Sequence, residues 1–252
     1  MPNIVIGRQF CGPPNSGNGG YVCGVIARGL DGPAKAVLRA PVPLDIELSL
    51  DDAEGAIQLT SAEGLLIGIS APGDASVLPQ PPPAPGLEAA RAASERYPGH
   101  RQPIHPICFT CGTDRIEGDG LRVFPGQLEG APEGHLACVW TPDAAFADAD
   151  GLTPSEIVWA ALDCPGFFAW VVKEGRHGAL LGTMTGEVTR RPRAGETTIV
   201  TAWPLVREGR KETAGVALFS EGGELLARAH QVWITMAQAF PAKAAEAGAA
   251  TA

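Results

Sequence analysis

The segment from residue 152 to residue 172 constrains the fold most, because it predicts a long helix that is buried on all sides. Thr153, Pro154 and Glu156 predict where this helix begins: an N-cap hydroxyl, a proline at the first helical position and the returning carboxylate of a capping box. The residues that follow are apolar on nearly every face, which is typical of a helix inside a large core. Pro165 lacks an N–H and should bend or end the helix.

Asp163 does not suit this apolar helix. Burying an unpaired carboxylate costs free energy, so a carboxylate at this position needs a partner or a function. Either backbone amides or a nearby arginine satisfy it, or it is a site residue with a pKa that its surroundings raise. The neighbouring Cys164 could be a thiol nucleophile, but a small buried apolar residue is the favoured interpretation because no histidine is adjacent.

Charge and cysteine usage narrow the classes of partner. The net charge is −9 and the pI is about 5.0, which argues against nucleic acid or an anionic membrane as the main partner. A local basic patch for a phosphorylated small molecule is still compatible with this charge. We see no basic and apolar leader, and no apolar segment approaches the ~18 residues that a membrane span needs. Six scattered cysteines predict reduced thiols and a cytoplasmic location.

The chain reads twice as a strand, a buried helix and a run of strands. With 252 residues it can form one large domain or two of about 120 residues each. In the first half the helix follows a glycine-rich loop and has Asn18 as its N-cap. The strands predicted for the first half are 3–7, 35–39, 45–50, 56–60 and 65–70, and those for the second half are 120–124, 135–140, 180–189, 197–206, 213–219 and 225–235.

The two halves also share short sequence patterns. Arg39-Ala-Pro-Val-Pro resembles Arg191-Pro-Arg-Ala-Gly, and Leu59-Thr-Ser-Ala-Glu-Gly resembles Leu218-Phe-Ser-Glu-Gly-Gly. Their common order indicates a two-copy internal repeat. One helix followed by hairpin strands predicts an α+β fold with an antiparallel sheet around each helix. The predicted units are a shortened N-terminal repeat at 1–75, a proline-rich linker with a short helix at 76–104, a C-terminal repeat at 105–236 and a flexible tail at 237–252.

Seven motifs follow one another across residues 105–236. They are Cys108-Phe-Thr-Cys-Gly, Gly118-Asp-Gly-Leu-Arg, Trp140-Thr-Pro-Asp, Ala161-Leu-Asp-Cys, Arg190-Arg-Pro-Arg-Ala-Gly-Glu, Gly209-Arg-Lys and Leu225-Leu-Ala-Arg-Ala. In this order they resemble the phenylacetate-type acyl-CoA thioesterases of the hotdog-fold superfamily, and residues 3–71 resemble a shortened second copy. The resemblance implies a double-hotdog acyl-CoA thioesterase, in which two hotdog repeats form a pseudo-dimer within one chain. It also allows two such chains to form a homodimer.

The resemblance implies a catalytic arrangement as well. In such families the central helix often begins with His-Gly-Gly, whose backbone amide polarises the thioester carbonyl, and carries an acid about two turns later. Here the first helix has Asn18-Gly19-Gly20 but Ala27 in place of the acid, and the second has Asp163 but Pro154-Ser155-Glu156 in place of the glycines. Our hypothesis is one composite catalytic site, with a mirror-image site that lacks both groups. Its residues are Asn18, Gly19, Gly20 and Asp163.

The predicted ligand is a small-molecule acyl thioester with coenzyme A as part of the substrate, and we expect no separate cofactor and no metal. Two cationic groups at strand ends could hold its phosphates, although a charge cluster is usually a solvated face. They are Arg190, Arg191 and Arg193, and Arg207, Arg210 and Lys211. Thr183, Thr185 and Gln231 could orient water, with ordinary sheet residues as the favoured alternative.

His105, Cys108 and Cys111 have a spacing that could contribute to a zinc site. No second Cys-x-x-Cys or histidine pair stands nearby in the sequence, so a loop feature is favoured over a metal site.

Two other functions stay open: a non-catalytic acyl-thioester or lipid-binding protein, and a hydratase or dehydratase. The second chemistry usually needs an Asp–His pair, and His177 and His230 are the histidines that could fold back to supply it.

Overall fold

The computed structural model describes residues 3–175 and 178–236, so the predicted tail at 237–252 and His177 lie outside the described residues. The first half contains β1 (Asn3–Val5), α1 (Gly19–Ile26), β2 (Ala34–Leu38), β3 (Glu47–Ala53), β4 (Ala56–Thr60) and β5 (Leu66–Pro72). A short helix, α2 (Leu87–Ser94), follows the proline run. The second half contains β6 (Gly126–Gln127), β7 (Leu136–Trp140), α3 (Ser155–Glu174), β8 (Ala179–Val188), β9 (Thr198–Glu208), β10 (Lys211–Ser220) and β11 (Leu225–Thr235).

All of these strands belong to one antiparallel sheet of eleven strands, in the order β1-β3-β4-β5-β2-β8-β11-β10-β9-β7-β6. The strands that directly follow α1 and α3 pair at its centre, with Ala36 of β2 opposite Met184 of β8. Outward from this pair, β5, β4, β3 and β1 on one side correspond to β11, β10, β9 and β7 on the other. This order is that of two copies of one unit. The predicted α+β fold with two repeats is confirmed.

The two central helices pack directly against each other. Gly20 of α1 lies against Trp159 and Asp163 of α3, and Gly24 lies against Glu156 one turn later, so the helices run in opposite directions. A Cβ atom at position 20 would be only 2.6 Å from the Trp159 carbonyl oxygen and from Asp163 Cβ. Glycine therefore permits the close approach of α1 and α3, and one hydrophobic core runs through both halves of the chain.

The predicted capping box at the start of α3 is wrong. The helix begins at Ser155, with Pro154 as the flanking residue, and no side chain caps it. Thr153 is buried, and its N–H donates to the Pro192 carbonyl instead of ordering the helix end. Glu156 does not fold back, because its carboxylate pairs with Arg28 of the other repeat.

The helix α3 continues through Pro165 and ends at Gly175, which adopts the left-handed conformation. The prediction that Pro165 could end the helix is therefore wrong. Pro165 leaves the Ala161 carbonyl without its helical partner. Buried side chains donate to the carbonyls on either side of it. Thr110 Oγ1 donates to the Ala160 carbonyl at 2.7 Å, and Gln231 Nε2 donates to the Leu162 carbonyl at 2.7 Å. These bonds fasten α3 to the neighbouring loop and strand on either side of the interruption.

The strand predicted at 120–124 is also wrong. Arg122 has a φ of 55°, which is incompatible with an extended strand. The N–H groups of Leu121 and Val123 donate to the carbonyls of Phe109 and Thr110, so this segment pairs with the Cys108-Phe-Thr-Cys111 loop. The segment thus holds that loop in place beside α3.

The prediction that no apolar segment approaches the length of a membrane span is wrong, because α3, among the described helices, is long and apolar enough by length and composition alone. However, 83% of its most apolar stretch is buried inside the protein, as in the core helix of a soluble protein. This burial agrees with the predicted position of the helix in a large core.

Candidate functional site

A large cavity of about 730 Å³ opens between the two repeats. Its walls are the glycine-rich loop that leads into α1, the segment after β2, the start of β8, the middle of α3 and the Cys108–Cys111 loop. Most of the lining side chains are apolar, including Leu38, Val42, Leu181, Phe167, Trp233 and Ile234. A cavity of this size and polarity suits a small organic ligand with an apolar portion.

Asn18 and Asp163, from different repeats, meet on the wall of this cavity. Asn18 caps α1, since its Oδ1 accepts a hydrogen bond from the Tyr21 N–H at 2.9 Å. Its Nδ2 donates to Asp163 Oδ2 at 2.7 Å. The N-cap that the sequence predicted therefore also bonds the buried carboxylate of α3.

The Asp163 carboxyl group is only 3% exposed. Its Oδ1 atom accepts no hydrogen bond from the described residues. Burial raises the pKa of Asp163 to about 7, and negative charge on the Cys108 sulfur acts in the same direction. The Gly20 amide and the Asn18 side chain act against these effects by stabilising the carboxylate. At neutral pH the Asp163 carboxyl group is therefore close to the midpoint of its titration.

Gly19 and Gly20 have different surroundings. Gly19 lines the cavity, and its N–H donates to no acceptor among the described residues. Gly20 is buried against α3, and its N–H lies at the Asp163 carboxylate. Gly19 is therefore the residue whose free helix-terminal amide can reach a ligand oxygen in the cavity.

Three thiols also converge on the cavity wall, a grouping that sequence spacing did not indicate. Cys164 of α3 lies beside the loop cysteines Cys108 and Cys111, with 3.6 Å between the sulfur atoms of Cys108 and Cys164. Hydrogen bonds from the other two thiols hold the pKa of Cys108 well below its ordinary value. Cys164 is buried as predicted, but its neighbours are sulfur atoms as well as apolar groups.

Solved structures share this architecture over nearly the whole chain. A candidate thioesterase from Novosphingobium aromaticivorans has a TM-score of 0.58 and 14% identity, over 93% of this chain and 94% of that one. The tesB protein of Mycobacterium avium subspecies paratuberculosis has a TM-score of 0.57 and 14% identity, over 89% of each chain. A candidate thioesterase II from Thermobifida fusca has a TM-score of 0.57 and 14% identity, over 93% and 91%. No family model and no curated protein sequence matches the chain.

The chain is a double hotdog. The predicted resemblance to the hotdog-fold thioesterase superfamily is thereby confirmed at the level of the fold. One repeat of the double hotdog contains β1 to β5 and the other contains β6 to β11, and the two repeats meet where β2 pairs with β8.

The mirror-image position of the double hotdog holds an ion pair. Ala27 and the start of α3 line a second, more polar pocket, where the Arg28 guanidinium contacts the Glu156 carboxylate. A second pair, between Arg191 and Asp148, lies in the same pocket with 2.6 Å between nitrogen and oxygen. Each of these carboxylates is paired with an arginine, whereas the Asp163 carboxylate contacts the amide of Asn18.

The predicted cationic residues do not line the large cavity of the double hotdog. Arg190 binds Glu196 and Glu224, and these hydrogen bonds raise the pKa of its guanidinium. Arg191 is engaged by Asp148 as described above. The Arg210 guanidinium donates to the Thr235 carbonyl, and Lys211 is exposed at the start of β10. The prediction that these groups hold the ligand in this cavity therefore has no support in their positions.

The predicted water-orienting residues also lie away from the cavity. Gln231 is fully buried, and it bonds the α3 backbone and the Trp233 indole N–H. Thr183 and Thr185 alternate along β8 with Met184 and Gly186, and Gly186 packs on Trp159 of α3. Because side chains alternate along a strand, both threonines point away from the helices. The three residues thus belong to the sheet and to the support of α3.

Two polar residues on the cavity wall, Arg39 and His105, were not among the predicted substrate-binding residues. Arg39 is exposed at the end of β2, and it makes no ion pair with another described residue. His105 also lines the cavity, and burial lowers the pKa of its imidazole. The signal for Arg39 was present in the sequence, because the internal repeat aligns it with Arg191.

Proposed function

We propose that this protein hydrolyses an acyl-CoA or a related acyl thioester in the cavity between its two repeats. The observation that carries the proposal is the contact between Asn18 and Asp163, which combines the start of one central helix with the acid of the other. Two of the three whole-chain structural relatives are named as thioesterases, which supports the same reaction class.

In the proposed reaction the acyl chain occupies the apolar part of the cavity. The free N–H of Gly19 donates to the thioester carbonyl oxygen and stabilises the negative charge that develops on it. Asp163 accepts a proton from water, whose oxygen attacks the carbonyl carbon, and the carbon–sulfur bond breaks. The departing thiolate takes this proton from Asp163, so the products are a carboxylic acid and free coenzyme A, and the Asp163 carboxylate is restored.

Asp163 could instead attack the carbonyl carbon itself and form an acyl anhydride, which water then hydrolyses to the same products. Both routes need the carboxylate in the same place, on the cavity wall beside the start of α1. Arg39 is the one lysine or arginine among the described cavity residues, and it is our candidate for binding a phosphate of coenzyme A.

The direct test is thiol release from a panel of short, aromatic and long acyl-CoAs. We expect turnover by the wild-type protein and a decrease of about two to four orders of magnitude in Asp163→Asn. Glu156→Gln is the matched control on the same helix, since it makes the same chemical change in the mirror-image pocket. Hydrolysis that survives in Asp163→Asn would show that the mechanism is wrong.

Two further measurements separate the alternatives. Acyl-CoA binding by calorimetry, without thiol release from any substrate, would favour a non-catalytic binding protein. Hydration of an enoyl-CoA would favour a hydratase, for which His105 lies on the same cavity wall as Asp163. The predicted homodimer, cytoplasmic location and unit boundaries stay predictions.

A further inference from the structure

Three cysteines from two parts of the chain form a compact cluster, which we call the thiol cluster: Cys108, Cys111 and Cys164. Their sulfur atoms all lie within 4.8 Å of one another. The side chains are buried, yet each contributes to the wall of the large cavity. The proposed hydrolysis uses none of these sulfur atoms.

We propose that the thiol cluster binds one thiophilic metal ion such as Zn²⁺, with three thiolate ligands and a fourth position that faces the cavity. This inference goes beyond the proposed hydrolysis and does not depend on it. A site with three protein ligands and one open position is the pattern of zinc sites that also bind water or a substrate group.

The distances within the thiol cluster suit this coordination. A Zn–S distance of about 2.3 Å in tetrahedral geometry places ligand sulfur atoms about 3.8 Å apart. Cys108 and Cys164 are already 3.6 Å apart, and the upper limit for the cluster is 4.8 Å. Small side-chain adjustments would therefore bring all three sulfurs to ligand distance, with no change in the backbone.

The surroundings of the thiol cluster hold its two parts together. Thr110, between the two loop cysteines, donates from its hydroxyl to the Ala160 carbonyl of α3 at 2.7 Å. The Tyr97 hydroxyl donates to the Cys111 carbonyl at 3.1 Å. The loop is thus fastened to the helix that carries Cys164, which reduces the ordering that metal binding would require.

The donor atoms determine the class of metal. Thiolates favour Zn²⁺, Cu⁺ and iron over Mg²⁺ and Ca²⁺, which prefer oxygen ligands. Asp163 precedes Cys164 and lines the same wall, and its Oδ1 accepts no hydrogen bond from the described residues. Water or a thiol group from a ligand would complete the coordination beside this carboxylate.

The test uses the full-length chain without an affinity tag, reduced with a phosphine and freed of metal by a chelator. Titration with Co²⁺ should produce sulfur-to-cobalt charge-transfer absorption in the near ultraviolet, and added Zn²⁺ should abolish it. Cys108→Ser, Cys111→Ser and Cys164→Ser should each lose this absorption. Cys23→Ser and Cys138→Ser, which change buried cysteines away from the cavity, should retain it.

A second measurement needs no variant and therefore does not depend on variants that fold. The wild-type protein is alkylated with and without Zn²⁺, and the modified peptides are identified by mass spectrometry. We expect Zn²⁺ to protect Cys108, Cys111 and Cys164 selectively. Absence of Co²⁺ absorption in the reduced wild-type protein, or protection that does not distinguish these three cysteines from the other three, would overturn the proposal. Loss of thioester hydrolysis with intact metal binding would count only against the proposed function.

Discussion

The side chain of Asn18 connects the two repeats by donating to Asp163 Oδ2 at 2.7 Å while its own Oδ1 accepts the Tyr21 N–H. One residue therefore positions both the start of α1 and the carboxylate of α3. This relationship shows how a chain with one glycine-rich helix start and one acid brings the two groups together on one cavity wall.

The first prediction concerns the bond itself, through Asn18→Ser. Serine is an equally good N-cap but is too short to reach Asp163, so α1 should stay capped while the carboxylate loses its side-chain donor. We expect the free energy of unfolding to fall by about 1–3 kcal/mol and kcat to fall by about one to two orders of magnitude. Chemical unfolding and thiol-release kinetics measure the two effects.

The control for this change is Asn15→Ser, on the same loop and exposed at the cavity. It should leave both stability and kcat nearly unchanged. Equal effects of the two substitutions would show that the loop, rather than the bond to Asp163, matters for turnover.

The second prediction is a pH dependence of stability that comes from Asp163. Burial raises its pKa in the folded protein to about 7, whereas the unfolded chain should have a value of about 4. Between these values the folded state holds a proton that the unfolded state has released. This contribution to stability is therefore complete below pH ~4 and is lost as the pH rises through about 7.

Chemical unfolding of the wild-type protein and Asp163→Asn at several pH values, with a chelator present, measures this effect. The difference in unfolding free energy, wild type minus variant, should decrease between pH ~4 and pH ~7 and then level off. A difference that does not change with pH would mean that Asp163 keeps an ordinary pKa in the folded protein.

The third prediction concerns the contact between the central helices. In Gly20→Ala the new Cβ would lie 2.6 Å from Asp163 Cβ, so α1 and α3 must move apart. We expect a loss of about 1–3 kcal/mol in unfolding free energy, together with a lower kcat because Asp163 moves relative to Gly19.

Gly24→Ala is the matched variant, since its Cβ would be 2.5 Å from the Glu156 Cα atom at the mirror-image end. It should destabilise the protein similarly but reduce kcat less than Gly20→Ala. Gly222→Ala, in a turn where a Cβ meets no close atom, should change neither quantity. If Gly24→Ala reduced kcat as much as Gly20→Ala, the catalytic effect would not be local to Asp163.

The fourth prediction concerns the phosphates of coenzyme A and uses Arg39→Gln. Loss of a charge-assisted hydrogen bond should raise KM for acyl-CoA about tenfold and leave kcat nearly unchanged. An acyl-pantetheine substrate, which has no phosphates, should show no such effect. Steady-state kinetics with both substrates separates phosphate binding from a general disturbance of the cavity.

Arg210→Gln is the control for this prediction, because Arg210 belongs to the cationic groups suggested by the sequence but lies away from the cavity. It should leave KM unchanged for both substrates. A larger KM effect for Arg210→Gln than for Arg39→Gln would locate the phosphates at the strand ends instead.

Local sequence patterns were sufficient for most elements of the fold. The apolar run around Asp163 predicted a buried helix, Asn18 predicted the start of α1, and the order of strands in the two halves predicted the repeat. The two helix predictions depend on neighbours within a few residues, such as an N-cap and the amides that it bonds. The capping box at Thr153 failed because Glu156 has a stronger distant partner in Arg28.

The residues of the site divide in the same way. Asp163 and Gly19 were proposed from the sequence because each is unusual in its local context. The position of Gln231 outside the cavity could not be predicted, because the α3 carbonyls that it bonds lie far away in sequence. Cys108 and Cys111 were considered together as possible zinc ligands, but Cys164 was not grouped with them because it follows them by more than fifty residues.

The sequence by itself determined which helix carries an acid in an apolar segment and which begins with a pair of glycines. Only the tertiary structure decided that these two groups face each other, through the pairing of β2 with β8 and the approach of α1 to α3 at Gly20. The physical reason is that side chains from distant segments meet according to strand register and helix packing. Strand register and helix packing are properties of the assembled sheet and core, and no local sequence pattern specifies them.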